Sequence, residues 1–139
     1  MIARFWITGG CLALCCGPFG CGSASSLERV EVRGKAAYAG APLENGEIRF
    51  FPMDGTEGPV SGAPILGGQY HVSQRGGVPV GSHRVEVEAF RASRAYPELN
   101  AEGGHREQFL PPQYNVASEL TVTIAGDRSV FTYDLDLPR

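Results

Sequence analysis

The segment Val78-Pro79-Val80-Gly81-Ser82-His83-Arg84-Val85-Glu86-Val87-Glu88-Ala89-Phe90 constrains the fold more than any other part of the chain. A Pro-x-Gly turn runs into a stretch where Val85, Val87 and Ala89 alternate with Arg84, Glu86 and Glu88. A period of two puts the apolar set on one face and the charged set on the other, the mark of a half-buried β-strand. Such a strand needs partners and an apolar layer beneath it, and the rest of the chain reads as built to pack on it.

The same alternation recurs along the sequence. Val30 and Val32 alternate with Glu31 and Arg33 in a first strand over 28–38, where Gly34 is read as a bulge. Ala39-Gly40 and Pro42-Leu43-Glu44-Asn45-Gly46 are turns, and Glu47-Ile48-Arg49-Phe50-Phe51 is a strand ending at Pro52. Ala63-Pro64-Ile65-Leu66, Gly67-Gly68 and Gln69-Tyr70-His71-Val72-Ser73 read as a hairpin across a two-glycine turn, with Pro64 suited to a sheet edge. Near the end, Leu120, Val122 and Ile124 alternate with Thr121 and Thr123. After a turn at 125–128, Phe131, Tyr133, Leu135 and Leu137 alternate with Thr132, Asp134 and Asp136. These are seven short strands, and with nineteen glycines and ten prolines they predict an all-β chain, a seven-stranded antiparallel Ig-like β-sandwich.

A chain of 139 residues fits one domain. Twelve basic against fifteen acidic residues give a net charge of −3, a balance that speaks against a nucleic-acid partner. All four cysteines, Cys11, Cys15, Cys16 and Cys21, lie within the first 21 residues, so the domain is expected to fold without a disulfide framework. Residues 1–20 have the shape of an export signal: Met1-Ile2-Ala3-Arg4 is a short basic start, followed by an apolar run from Phe5 to Cys16. Gly9, Gly10, Gly17 and Pro18 interrupt that run, which argues against a permanent membrane span of about 20 apolar residues.

The leader resembles the signal peptide of bacterial lipoproteins, in which a cysteine after small residues is lipidated. Gly20-Cys21-Gly22-Ser23 is the best match, although Pro18 and Phe19 stand where small or Leu-like residues are usual; Cys15 is a second candidate, and cleavage after Ala24 with simple secretion is the alternative. The resemblance implies a lipid anchor at Cys21, a short tether over 21–26, and a domain over 27–139 facing the periplasm or the exterior. Within that domain, Val32-x-Gly34, Gly40-x-Pro42-Leu43, Gly46-Glu47-Ile48-Arg49-Phe50-Phe51-Pro52, Gly68-x-Tyr70, Pro79-x-Gly81-x-His83-x-Val85 and Pro112-x-Tyr114-Asn115 form an ordered series. The series resembles small bacterial lipoproteins with a carboxypeptidase-regulatory-like, or transthyretin-like, domain. It implies a prealbumin-like sandwich with no established catalysis and no cofactor.

Candidate sites are few. His71, His83 and His105 are the groups that titrate near neutral pH, and His71 with His83 is a candidate metal pair, but a metal site wants three or four converging ligands and the two differ in strand parity, so they read as surface or strand-end histidines. Asp134 and Asp136 share a face, yet calcium wants six or more oxygens, and Glu86 and Glu88 read as one exposed stripe. The 27 residues of 91–117 form a long connection, in which 102–109 is read as a helical turn and 111–115 as a stiff stretch docking an aromatic. Arg94, Tyr96, Arg106, Phe109 and Tyr114 in or beside it are the candidate binding residues, because aromatics and arginines anchor interfaces. Some transthyretin-like proteins are hydroxyisourate hydrolases ending in Tyr-Arg-Gly-Ser, whereas this chain ends Leu135-Asp136-Leu137-Pro138-Arg139. The expected role is therefore a non-catalytic structural or protein-interaction module of the cell envelope, held to the membrane by lipid. A glycan- or metal-binding module using 91–117 comes second, and a hydrolase last.

Overall fold

A computed structural model describes residues 27–53, 55–95, 97 and 105–139. The leader, Cys15, Cys21, the tether and Tyr96 lie outside the described residues. The strands are β1 (Arg29–Tyr38), β2 (Ala41–Pro42), β3 (Asn45–Pro52), β4 (Ser61–Leu66), β5 (Gln69–Val72), β6 (Val78–Pro79), β7 (Gly81–Ala92), β8 (Arg106–Gln108), β9 (Thr121–Ile124), β10 (Val130–Thr132) and β11 (Leu135–Leu137). Single 3₁₀ turns occupy Gln74–Gly76 and Pro112–Tyr114.

The fold is an all-β, sandwich-like curled sheet. Its order is β10-β1-β5-β4-β3-β7-β8, with β2, β6 and β11 also on β1, and β9 on β7. All seven expected strands are present. The count rises to eleven because the closing strand breaks into β10 and β11, and because short β2, β6 and β8 add to the edges. Alternation decides the faces: Val30, Val32 and Ala36 of β1, Ile48 and Phe50 of β3, Ala63 and Ile65 of β4, Tyr70 and Val72 of β5, and Val85, Val87 and Ala89 of β7 all enter one core. Leu135 and Leu137 of β11, Ile124 of β9 and Leu110 and Tyr114 of the long connection complete it.

Three expectations are corrected. The antiparallel rule fails at the closing strand, since β10 and β11 both run parallel to β1 (Glu31 beside Val130, Ala36 beside Leu135). The turn after β9 carries the chain from the β7 side of the sheet to the β1 side, so the last strand arrives as a crossover rather than a hairpin. Gly34 is not a bulge, because β1 keeps unbroken register with β5 through Val32 to Lys35 opposite Val72 to Gln69. It is instead a close approach: a Cβ there would lie 1.9 Å from the Tyr133 carbonyl oxygen. Finally, Arg106–Gln108, inside the expected helical turn, is strand β8, paired antiparallel to Phe90–Ala92.

The break between β10 and β11 has a visible cause. The offset between β1 and the closing strand is the same on both sides of it, since Arg33 faces Thr132 and Ala36 faces Leu135. No residue is inserted; at Tyr133 and Asp134 side chains take over from the ladder. The Lys35 N–H donates to Asp134 Oδ1 at 2.8 Å, the Tyr133 N–H donates to the Arg33 carbonyl at 2.9 Å, and the Tyr70 hydroxyl donates to the Tyr133 carbonyl. Burial pushes the Tyr70 phenol far above its usual range and raises that of Tyr133, so both stay neutral. Asp134 thus acts as a piece of the β-ladder.

Candidate functional site

Strands β1, β5, β4 and β10 place their outward residues around an open recess of about 640 Å³. Register sets the arrangement: Arg33 of β1 lies opposite His71 of β5 and beside Thr132 of β10, and Lys35 lies opposite Gln69. Strands β4 and β5 share a single ladder pair, Leu66 with Gln69, so β4 leaves that side unladdered along Pro64, and Pro64 and Leu66 form the apolar wall. Leu66 is 63% exposed although it belongs to a strand.

The electrostatics of the recess are uneven. Arg49, Arg84, Arg91 and Arg128 each pair with a carboxylate. Among the described residues the side chains of Arg33 and Lys35 have no carboxylate or hydrogen-bond partner. The nearest acids are engaged: Glu31 Oε2 lies 2.9 Å from His71 Nε2, and Asp134 Oδ1 accepts the Lys35 main-chain N–H. The recess therefore offers two cations outside any direct ion pair, the carboxylate of Asp134, a paired His71, the polar Gln69 and Thr132, and an aliphatic wall. That combination suits a ligand with both negative charge and apolar groups.

The expected binding residues are dispersed. Arg94 is exposed, and Arg106 on β8 is exposed with its guanidinium reaching Asn45 Oδ1 at 3.5 Å. Phe109 and Tyr114 pack inward on Tyr38, each edge-on with ring centroids 6.2 Å apart, and Arg91 stacks over Phe109 at 5.1 Å. Tyr114 is buried, and its hydroxyl donates to the Pro138 carbonyl at 2.6 Å. These aromatics hold the connection to the sandwich, as the expected docking of 111–115 implied, and Tyr114 has no surface to offer a ligand.

The histidines are separated as their parity implied. His71 is on the outer surface, whereas His83 is not a surface or strand-end histidine: it is 0% exposed. It sits in the core with its ring edge-on to Phe50 at 6.4 Å. Its Nδ1 lies 3.1 Å from the Gly81 carbonyl, and among the described residues its Nε2 has no partner. Desolvation holds its pKa below 6.5, the Gly81 carbonyl opposing only in part. His105 is exposed. Among the described residues no three of His, Cys, Asp and Glu converge on a metal-sized site. The stripe of Glu86 and Glu88 is also not free: Arg49 reaches Glu88 at 2.8 Å and Glu86 at 3.6 Å, Arg84 pairs with Glu86, and both guanidiniums lie over the Phe51 ring.

The recess was missed because its residues are spread over about a hundred positions and meet only through the β1–β5 and β1–β10 registers. The available signal was the outward parity of Arg33 and Lys35 on the first strand. No family model, curated protein or solved structure matches the chain.

Proposed function

We propose that this chain is a non-catalytic interaction module of the cell envelope, exported, anchored by lipid at Cys21, and holding a protein partner in the recess of β1, β4, β5 and β10. The observation that supports the reading most is the pair of adjacent cations, Arg33 and Lys35, set beside the exposed Leu66 in a recess of about 640 Å³. Exposed apolar surface carries a cost in solubility, and a binding face puts it and the charge beside it to use. The resemblance to carboxypeptidase-regulatory-like lipoproteins supports the same class of role. The glycan- or metal-binding alternative at 91–117 draws less support, since Phe109 and Tyr114 are occupied in packing.

A photo-crosslinking residue placed at Leu66 in cells tests this. Discrete adducts are expected at Leu66 and not at Val116, which is exposed but lies outside the recess. Equal labelling at both positions, or none at Leu66, removes the recess as a binding face. Cys21→Ala is expected to abolish incorporation of a fatty-acid analogue and shift the protein out of the membrane fraction; unchanged incorporation excludes Cys21 as the anchor.

A further inference from the structure

The form of the recess narrows the kind of partner it takes. Building on the interaction-module reading, we infer that its occupant is an extended peptide segment carrying acidic and aliphatic side chains, with carboxylates on Arg33 and Lys35 and aliphatic groups against Pro64 and Leu66. Three observations lead there. First, Arg33 and Lys35 stand two apart on one face of β1, about 7 Å from each other along the strand, a spacing that matches alternate side chains of another extended chain. Second, the domain around them is acidic: without Arg4 of the leader the count is eleven basic against fifteen acidic residues, a net −4. Two cations two positions apart on one strand face form a local positive patch in that field, and they favour a negative partner over a positive one, against the single opposing carboxylate of Asp134 in the recess.

Third, the site is a recess with an aliphatic wall. A glycan would call for an exposed aromatic platform, but Tyr70, the aromatic of this site, is buried with its hydroxyl given to Tyr133. An anionic membrane surface would meet exposed cations on a convex face, whereas here Leu66 and Pro64 stand beside the cations around the hollow. A chain segment with alternating acidic and aliphatic residues meets both features at once.

The test uses the full chain purified in detergent and two short fluorescein-labelled peptides, one alternating Asp with Leu and the other Lys with Leu, with binding read by anisotropy. The acidic peptide is expected to bind and the basic one not. Arg33→Gln with Lys35→Gln is expected to weaken binding about tenfold, about 1.4 kcal/mol, and raised salt should weaken the wild type but not the double variant. Leu66→Gln should weaken it independently. All three positions are outward-facing, so unchanged melting temperatures will show that the variants fold. Equal binding of both peptides, or acidic-peptide binding unaffected by the Arg33 and Lys35 changes, overturns the acidic-segment inference while leaving the recess as an interaction face. If neither peptide binds and anionic-lipid vesicles do, through Arg33 and Lys35, the occupant is a headgroup surface and the inference falls. If neither binds and the Leu66 crosslinks are also absent, the module reading falls with it.

Discussion

Replacing His83 should make the protein less sensitive to mild acid. The imidazole is sealed in the core. Its neighbours across the sheet are Pro52 of β3 and Val122 of β9, with Phe50 edge-on, and none of these titrates. Arg84 and Glu86 of its own strand alternate to the outer face, and Tyr133, edge-on to Phe50 at 6.5 Å, is held neutral by burial. Among the described residues no carboxylate is thus placed to receive an imidazolium, and desolvation lowers the pKa from 6.5. With the folded-state pKa below the unfolded one, the unfolded chain binds the proton first. Stability is therefore full above pH 6.5 and is lost as pH falls through it. One proton sets a ceiling of about 1.4 kcal/mol per pH unit, so descending from about pH 7.5 to 5.5 costs at most about 1.4 kcal/mol. For a domain of this size that is a fall of about 4–6 °C in melting temperature. The assay is thermal unfolding across that range for wild type, His83→Phe and His83→Leu. Both variants should fall less than the wild type across this window, whatever their absolute stabilities, because they keep every other titratable group and lose only His83. Wild-type and variant curves that run parallel would refute the reasoning, and would mean that Nε2 finds a partner when protonated.

Gly34→Ala should destabilise by about 3 kcal/mol or more in urea unfolding, since its Cβ would sit 1.9 Å from the Tyr133 carbonyl and backbone must move to admit it; a loss below about 0.5 kcal/mol would mean the closing strand is not held there. Asp134→Ala should cost about 1 kcal/mol by removing the acceptor of the Lys35 N–H, while Asp134→Asn, which keeps an oxygen, should cost much less. Equal losses would show that the charge, not the hydrogen bond, is what counts. Tyr114→Phe should cost about 1 kcal/mol through the lost bond to Pro138, and Tyr114→Ala about 3–5 kcal/mol through the lost core volume. A Tyr114→Ala change that leaves stability intact would instead free this residue for a binding role.

Strand faces were legible wherever one side was apolar, and strand pairing was not. Val85, Val87 and Ala89 revealed β7 because bulky inward residues alternate with charges, and the same rule gave β3, β5 and β9. Beyond Val32, β1 carries a weak signal, because its next inward positions are Gly34 and Ala36. Their smallness answers a contact about a hundred residues away, the Tyr133 carbonyl against Gly34 and the parallel Leu135 beside Ala36. Local alternation contains no information about such a neighbour. The burial of Glu86 was hidden for a related reason: its partner Arg49 is supplied by the register of β3, so a residue that reads as solvated is held in an ion-pair cluster. His83 was legible in parity, since it falls in step with Val85, and the resemblance of charge to solvent exposure is what obscured it.

The strand that organises the molecule is therefore β1 as much as β7. It pairs with β2, β5, β6, β10 and β11, whereas β7 pairs with β3, β8 and β9. The same strand carries Arg33 and Lys35 outward and begins two residues after the first described position. Under the proposed anchor at Cys21, six residues separate the lipid from Leu27, a reach of at most about 20 Å, and Lys35 lies a further ~20 Å along β1 from Arg29. The recess is then confined to a layer within roughly 50 Å of the bilayer, the sum of those two lengths and the ~7 Å from Leu27 to Arg29. A partner need not be soluble or abundant to find it, because confinement beside the membrane raises the effective concentration of anything else held there. Contacts through two cations and a leucine that hold a free peptide in bulk solution are strengthened further between two molecules that share one surface.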